Sequence, residues 1–202
     1  MLILTSPPVF NPSAFKQQLQ EANITADPLE DIILDFSADE PDFEAAVEAL
    51  TFNDQGVCTN PTVKKIVDQA MMSQDCPVRI KDAILKNAKA YPEQFRQLLK
   101  GILDKGYAVH LSETTSDGLD VHGLDFSGGK FVANGAYFTN FNAQGANFNG
   151  GAVNDVVIFS GNLSDATVKN MKCDNAMGIQ LKDVNMERTK MDKAFEGHYF
   201  AI

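Results

Sequence analysis

The apolar residues of this chain keep two different rhythms, one after the other. In the first part they recur at helical spacing, at i, i+3, i+4 and i+7. Leu29, Ile32, Ile33 and Phe36 make one stripe, and Phe43, Ala46, Val47 and Leu50 another. Val63, Ile66, Val67 and Ala70 follow, then Ile80, Ala83, Ile84 and Ala88, then Phe95, Leu98, Leu99 and Ile102; Phe15 and Leu19 mark an earlier segment. Prolines stand ahead of these stripes at Pro12, Pro28, Pro41, Pro61, Pro77 and Pro92. Proline suits the first position of a helix, where its missing N–H costs nothing, and Asn11, Asp27 and Asn60 are good caps in front of it. The pattern predicts six short helices in a small bundle or array. Gly106 is placed to stop the last of them. Tyr107–Leu111 reads as a strand, and the polar run Ser112–Gly118 as a boundary loop.

From about Leu119 to about Phe195 the period becomes five. The blocks run Ala136-Tyr-Phe-Thr-Asn, Phe141-Asn-Ala-Gln-Gly, Ala146-Asn-Phe-Asn-Gly, Gly151-Ala-Val-Asn-Asp, Val156-Val-Ile-Phe-Ser and Gly161-Asn-Leu-Ser-Asp. Central residues Phe138, Ala143, Phe148, Val153, Ile158, Leu163, Val168 and Cys173 are mostly apolar. The residue two places earlier is small or apolar, and the remaining three are mostly Asn, Asp, Ser, Thr, Lys or Gly. Neither a helix nor an ordinary strand has two inward residues in five. A chain that turns a corner in each block does, and fixed-period self-similarity marks a solenoid.

These blocks resemble the pentapeptide-repeat family, with Leu124-Asp-Phe-Ser-Gly, Ala146-Asn-Phe-Asn-Gly and Gly161-Asn-Leu-Ser-Asp closest to its loose consensus. The resemblance implies a right-handed quadrilateral parallel β-helix with four blocks per coil, here about four coils. It further implies that residues twenty apart stack: Phe138 on Ile158, Ala143 on Leu163, Phe148 on Val168, Val153 on Cys173. The phase slips between Phe131 and Phe138 and again after Cys173, as bulges or corner loops do. The expected architecture is therefore α+β, with a helical domain over 1–112 and a solenoid over 113–202. The helices cover one open end, and the tail from Phe195 to Ile202 covers the other.

Charge narrows the possibilities. The net charge is −10, and no Lys or Arg lies between Lys16 and Lys64, where eleven acids fall. Clustered cations for phosphate contacts are missing, so direct nucleic-acid binding is disfavoured. The acids read either as solvated helix faces or as a docking surface for a basic partner, with Asp31, Asp35, Asp39 and Asp42 as its candidates. No apolar run is long enough to span a membrane, and the start Met1–Thr5 reads as an edge segment rather than a secretory signal. Cys58, Cys76 and Cys173 lack metal-ligand spacing and read as free thiols of a reducing compartment.

Candidate chemistry is sparse. There is no phosphate-binding loop, dinucleotide fingerprint, zinc-protease motif or nucleophile elbow. No catalytic, cofactor or metal residue is assigned. His122, outward beside Asp120, reads as a surface histidine. Outward Asn142, Asn147, Asn149, Asn154 and Asn162 fit corner hydrogen bonding. Tyr137 and Phe159 also take outward places, and an aromatic pair on a rigid wall is a candidate protein contact.

The expected function is a non-enzymatic protein-interaction scaffold. The resemblance extends this to a bacterial effector, made in the bacterial cytoplasm and translocated into a host cell without a signal peptide. An alternative from the same family is a DNA mimic that binds gyrase. From Asp117 onward, however, ten acids face seven Lys and Arg, a balance of only −3 and a poor duplex mimic. A third reading, an enzyme with its site in the helical half, has no residue to support it. The sequence leaves the oligomeric state open.

Overall fold

The computed structural model describes residues 61–76, 78–86, 88–172, 179–191 and 199–201. The helices expected ahead of Pro61 lie outside these residues, as do Cys58, Cys173 and Asp31, Asp35, Asp39 and Asp42.

Among the described residues, three helices precede the solenoid: α1 (Pro61–Met72), α2 (Val78–Lys86) and α3 (Pro92–Asp104). Pro61 and Pro92 are the first residues of their helices. The helical stripes face inward, with Val67, Ala70, Ile80, Ile84, Ala88, Phe95, Leu98, Leu99 and Ile102 all buried. α3 ends as its sequence dictates: Gly106 takes φ +86°, and the Tyr107 N–H reaches back to Ile102 O at 3.3 Å. A glycine adopts that left-handed turn without steric cost.

The solenoid has four sides, each a parallel ladder. One is a five-stranded sheet of β2 (Thr115–Asp117), β4 (Tyr137–Thr139), β5 (Val156–Phe159), β7 (Ile179–Lys182) and β9 (Tyr199–Ala201), in that order. A second pairs β1 (Val109–His110) with β3 (Phe131–Val132) and continues through Ala152 to Lys172. The third runs Asp120, Asn142, Asn162, Asn185. The last runs Asp125, Asn147, Thr167, Lys190, with β6 (Thr167–Val168) paired to β8 (Lys190–Met191). The result is a parallel β-solenoid of about four turns. Phe138 lies opposite Ile158, and the bridges Asn142–Asn162 and Asn147–Thr167 bring Ala143 over Leu163 and Phe148 over Val168. Phe126 and Phe148 stack one coil apart with centroids at 5.3 Å and rings 4° from parallel.

The corners explain the period. Every fifth residue from Glu113 to Gly128, and again from Gly135 to Asn170, has positive φ, as do Asp183 and Arg188. Left-handed backbone at one residue in five turns the chain through a corner, which is why Gly, Asn and Asp crowd that place. Three places earlier, an Asx side chain accepts from the N–H two residues on: Asp120 from His122 at 3.0 Å, Asp125 from Ser127 at 3.0 Å, Asn162 from Ser164 at 3.1 Å, Asn185 from Glu187 at 3.0 Å. Asn142, Asn147 and Asn162 are thus corner fasteners, whereas Asn149 accepts from the Lys169 N–H and Asn154 donates to Asn134, each one coil away.

Two expectations are corrected. The first slip falls between Phe126 and Ala133, not between Phe131 and Phe138. Phe131 holds the leading inward place, opposite Val109, and the two extra residues sit in the corner after Phe126, where Gly128 and Gly129 both have positive φ. The bulk of Phe131 disguised its place, because the true central residue there is the smaller Ala133. The second correction concerns Ser112–Gly118, which is not a boundary loop. Parallel pairing starts at Val109, and Thr115–Asp117 form β2. Polar residues fill inward places in that block: Thr114 is fully buried and its hydroxyl donates to Leu111 O at 2.7 Å, and Ser116 is buried at the centre. Hydroxyls in apolar places hid the period. The tail strand Tyr199–Ala201 adds to β7 in parallel register.

Candidate functional site

Two sides of the solenoid break the Asx rule: the β1–β3 side, where the place is filled by His110, Val132, Ala152 and Lys172, and the five-stranded sheet. On the five-stranded sheet the place that the other two sides fill mostly with Asn or Asp is filled by Thr115, Tyr137, Val157 and Gln180, in register, with Phe200 at the next position of the same row. The neighbouring outward row is Asp117, Thr139, Phe159, Lys182. β-Branched and aromatic residues favour extended strands, so this side forms true strands up to four residues long where two others have mostly single bridges. At Tyr137, Val157 and Phe159 it also places apolar surface outward, between polar Thr115 and Asp117 on one coil and Gln180 and Lys182 on another.

Tyr137 is exposed, with 41% of its surface open. Phe159 is half-buried, and the Lys182 ammonium lies 5.1 Å from its ring centroid. Tyr137 pairs with Val157 and Phe159 with Thr139, so the two rings are diagonal neighbours within reach of one partner. The structure therefore brings together both aromatic residues singled out in the sequence, and adds Val157 between them. Val157 and Lys182 were missed, although the lapse of the Asx pattern at Tyr137, Val157 and Gln180 is visible in the sequence itself.

The helices bound this wall above. The first-coil strand β2 lies against α2: Asp82 accepts from the Thr115 N–H at 2.8 Å, and Lys89 pairs with Asp117 at 2.6 Å. Bonds from Lys89, Asn140 and Thr139 hold the Asp117 carboxyl down at about 2. Burial pushes Asp82 up, partly offset by its bond from Thr115. On an adjacent side, His122 Nδ1 lies 2.8 Å from Asp120 Oδ1, with the imidazole largely in solvent. Among the described residues its ring bonds to Asp120 alone. Cys76 is buried, and burial pushes its thiol up to about 12, far from the thiolate that chemistry needs. Among the described residues no group of three His, Cys, Asp or Glu could hold a metal ion, and no helix is long and apolar enough to cross a membrane. The core leaves a void of about 30 Å³ beside Phe131, Phe148, Val153 and Met171, with purely apolar walls; that is room for about one water and no substrate.

The ladders and the five-residue period define the fold: a four-sided parallel β-solenoid of about four turns, with helices packed against its first coil. No family model and no curated protein matches the chain. A solved pentapeptide repeat protein, Rfr23 from the cyanobacterium Cyanothece 51142, aligns at 16% identity over 42% of this chain and 61% of its own length, with a TM-score of 0.16. This chain thus spans less than two thirds of that protein. The fold stands on its own ladders rather than on that superposition.

Proposed function

We propose that this protein is a non-enzymatic scaffold that binds another protein through the outward wall of its five-stranded sheet. The observation that carries the reading is the row Tyr137–Val157, flanked by Phe159, which puts two aromatic rings and a valine on the outer face of the five-stranded sheet. Large aromatic residues on a rigid surface are effective anchors, because little ordering is needed on binding. The partner is a protein, and in the narrower form of this reading it belongs to a host cell into which a bacterium delivers the chain, with Asp31, Asp35, Asp39 and Asp42 as a second contact for a basic surface. That narrower form draws on the family resemblance.

Charge argues against the duplex mimic. Duplex imitation calls for acids repeated along the rod, yet the ladders run Asp120–Asn142–Asn162–Asn185 and Asp125–Asn147–Thr167–Lys190, acidic only in the first coil.

The test is capture of partners from eukaryotic and bacterial lysates on the intact chain, beside the Tyr137→Ser/Phe159→Ser variant. We expect a protein held by the intact chain to be lost, by tenfold or more in affinity, from the double variant, consistent with two anchors of about 1–2 kcal/mol each. Equal retention on both would overturn the wall as the contact. Recovery of gyrase would make the mimic the better reading.

A further inference from the structure

His110 is the outward residue of β1, between inward Val109 and Leu111. Outward residues on a solenoid side ordinarily meet water. Here α1 and α3 pack against β1, and His110 keeps only 7% of its surface exposed while its Nδ1 has no hydrogen-bond partner. An unbonded buried nitrogen is a local loss that the seam tolerates only while the ring is uncharged.

The charges around it are few. From α2 comes Lys81, itself 1% exposed, its Nζ donating to Ser73 O at 2.7 Å. The turn before α2 supplies Asp75, and the Cys76 thiol beside Lys81 is kept neutral by burial. Of the other described charges, α1's Asp68 is engaged by Lys64 at 2.8 Å and Lys105 at 3.2 Å, α3's Asp104 by Lys100 at 2.6 Å, and α2's Asp82 by the Thr115 N–H at 2.8 Å, with Lys86 acting on it. α3's Glu93 and Arg96 pair with each other at 2.7 Å. β3 brings only Phe131 and Val132, and Lys130 before it reaches Leu103 O at 3.4 Å. A protonated His110 would therefore join the Lys81 ammonium in a closed seam, with Asp75 as the acid that acts on it.

We propose that His110 is an acid-sensitive latch between the helices and the first coil: neutral, it lets α1–α3 seat on β1, and protonated, it unseats them while the later coils stay paired. Burial first, and then the Lys81 charge, hold the imidazole below its ordinary value of 6.5. A depressed value means that the folded junction binds fewer protons than the released one. Its stability is full above the ordinary histidine value and is lost as pH falls below it towards the lowered one. The later coils have no such residue in their seams, since the described histidines are His110 and His122, and His122 is open to water.

The test is amide hydrogen exchange on the full chain at about pH 7.5 and about pH 5, corrected for the intrinsic pH dependence of exchange. We expect protection over α1–α3 and β1 to fall by about tenfold or more at the lower pH, while β4 and β5 keep theirs. In His110→Gln the helices should hold the same protection at both values. In Lys81→Met, which removes the like charge, the loss should move to lower pH. The latch is overturned if wild-type helices stay protected at about pH 5, if His110→Gln loses them as wild type does, or if β4 and β5 open in step with the helices. Should His110→Gln fail to fold at the higher pH, the direction of the Lys81→Met shift decides: no shift overturns the proposal.

Discussion

The corner residue sets the cost of every turn in this molecule. Gly145 has φ +66°, and a Cβ there would meet nothing within 4 Å, so any penalty for a side chain is conformational rather than steric. Gly145→Ala should lower the unfolding free energy by about 1–2 kcal/mol, and Gly145→Asn by much less, since Asn tolerates left-handed backbone. Urea denaturation of the two variants checks this, and equal losses would show that crowding, not backbone preference, governs the corner. Gly161 is the contrasting case. A Cβ there would lie 2.7 Å from Ile158 Cγ2 and 3.3 Å from Phe141 O, so its smallness serves packing at an inward place. Single residues were legible in the sequence where one role decided them, as with Gly106 ending α3 or Asn162 at its corner. They were illegible where two roles overlapped. Phe131 looked central by bulk yet leads its block, and Ser116 looked like loop yet fills the core.

Between elements, the open edge of a parallel sheet is the weak point, because its first strand has donors with no earlier coil to receive them. Asp82 on α2 answers this for Thr115 at 2.8 Å. Asp82→Ala would leave that exposed N–H to water and should destabilise the chain by about 0.5–1.5 kcal/mol, whereas Asp82→Asn, keeping an acceptor oxygen, should cost clearly less. Chemical denaturation and the exchange rate of the Thr115 amide report on it, and an unchanged amide rate in the alanine variant would refute this role for Asp82. The sequence announced the helices through their prolines and stripes, and the coils through their period. It did not announce this contact, which joins residues 33 apart. The candidate wall was half legible for a related reason. Tyr137 and Phe159 stood out as exposed aromatics, but Val157 is unremarkable until the register places it between them.

At the scale of the whole molecule, helices and solenoid share one buried core that runs from Val67 to Leu181. A surface ion pair also spans them, Lys89 with Asp117. The Asp117 carboxyl, held from 3.8 down to about 2, should titrate late in a carbon-detected NMR pH series. Its contribution is present above the ordinary carboxylate range and is lost as pH falls through about 2. Lys89→Met should raise that titration towards 3.8 without fully restoring it, because Asn140 and Thr139 still donate to the carboxyl. A midpoint unmoved by Lys89→Met would mean that the lysine exerts no hold in solution. Because exposed pairs contribute little to stability, the global unfolding midpoint should barely change.

The registers between coils are unequal. Val109 to Phe131 is 22 residues, Val132 to Ala152 is 20, Val156 to Ile179 is 23 and Ile179 to Tyr199 is 20. The ladders continue across both longer steps, so surplus length is absorbed between them, and on the first step it lies in the corner after Phe126. At that corner Gly128 and Gly129 both donate to Asn149 O on the next coil, so the surplus is tied down rather than left loose. A protein built this way can vary its outline one bend at a time while its walls keep their alignment.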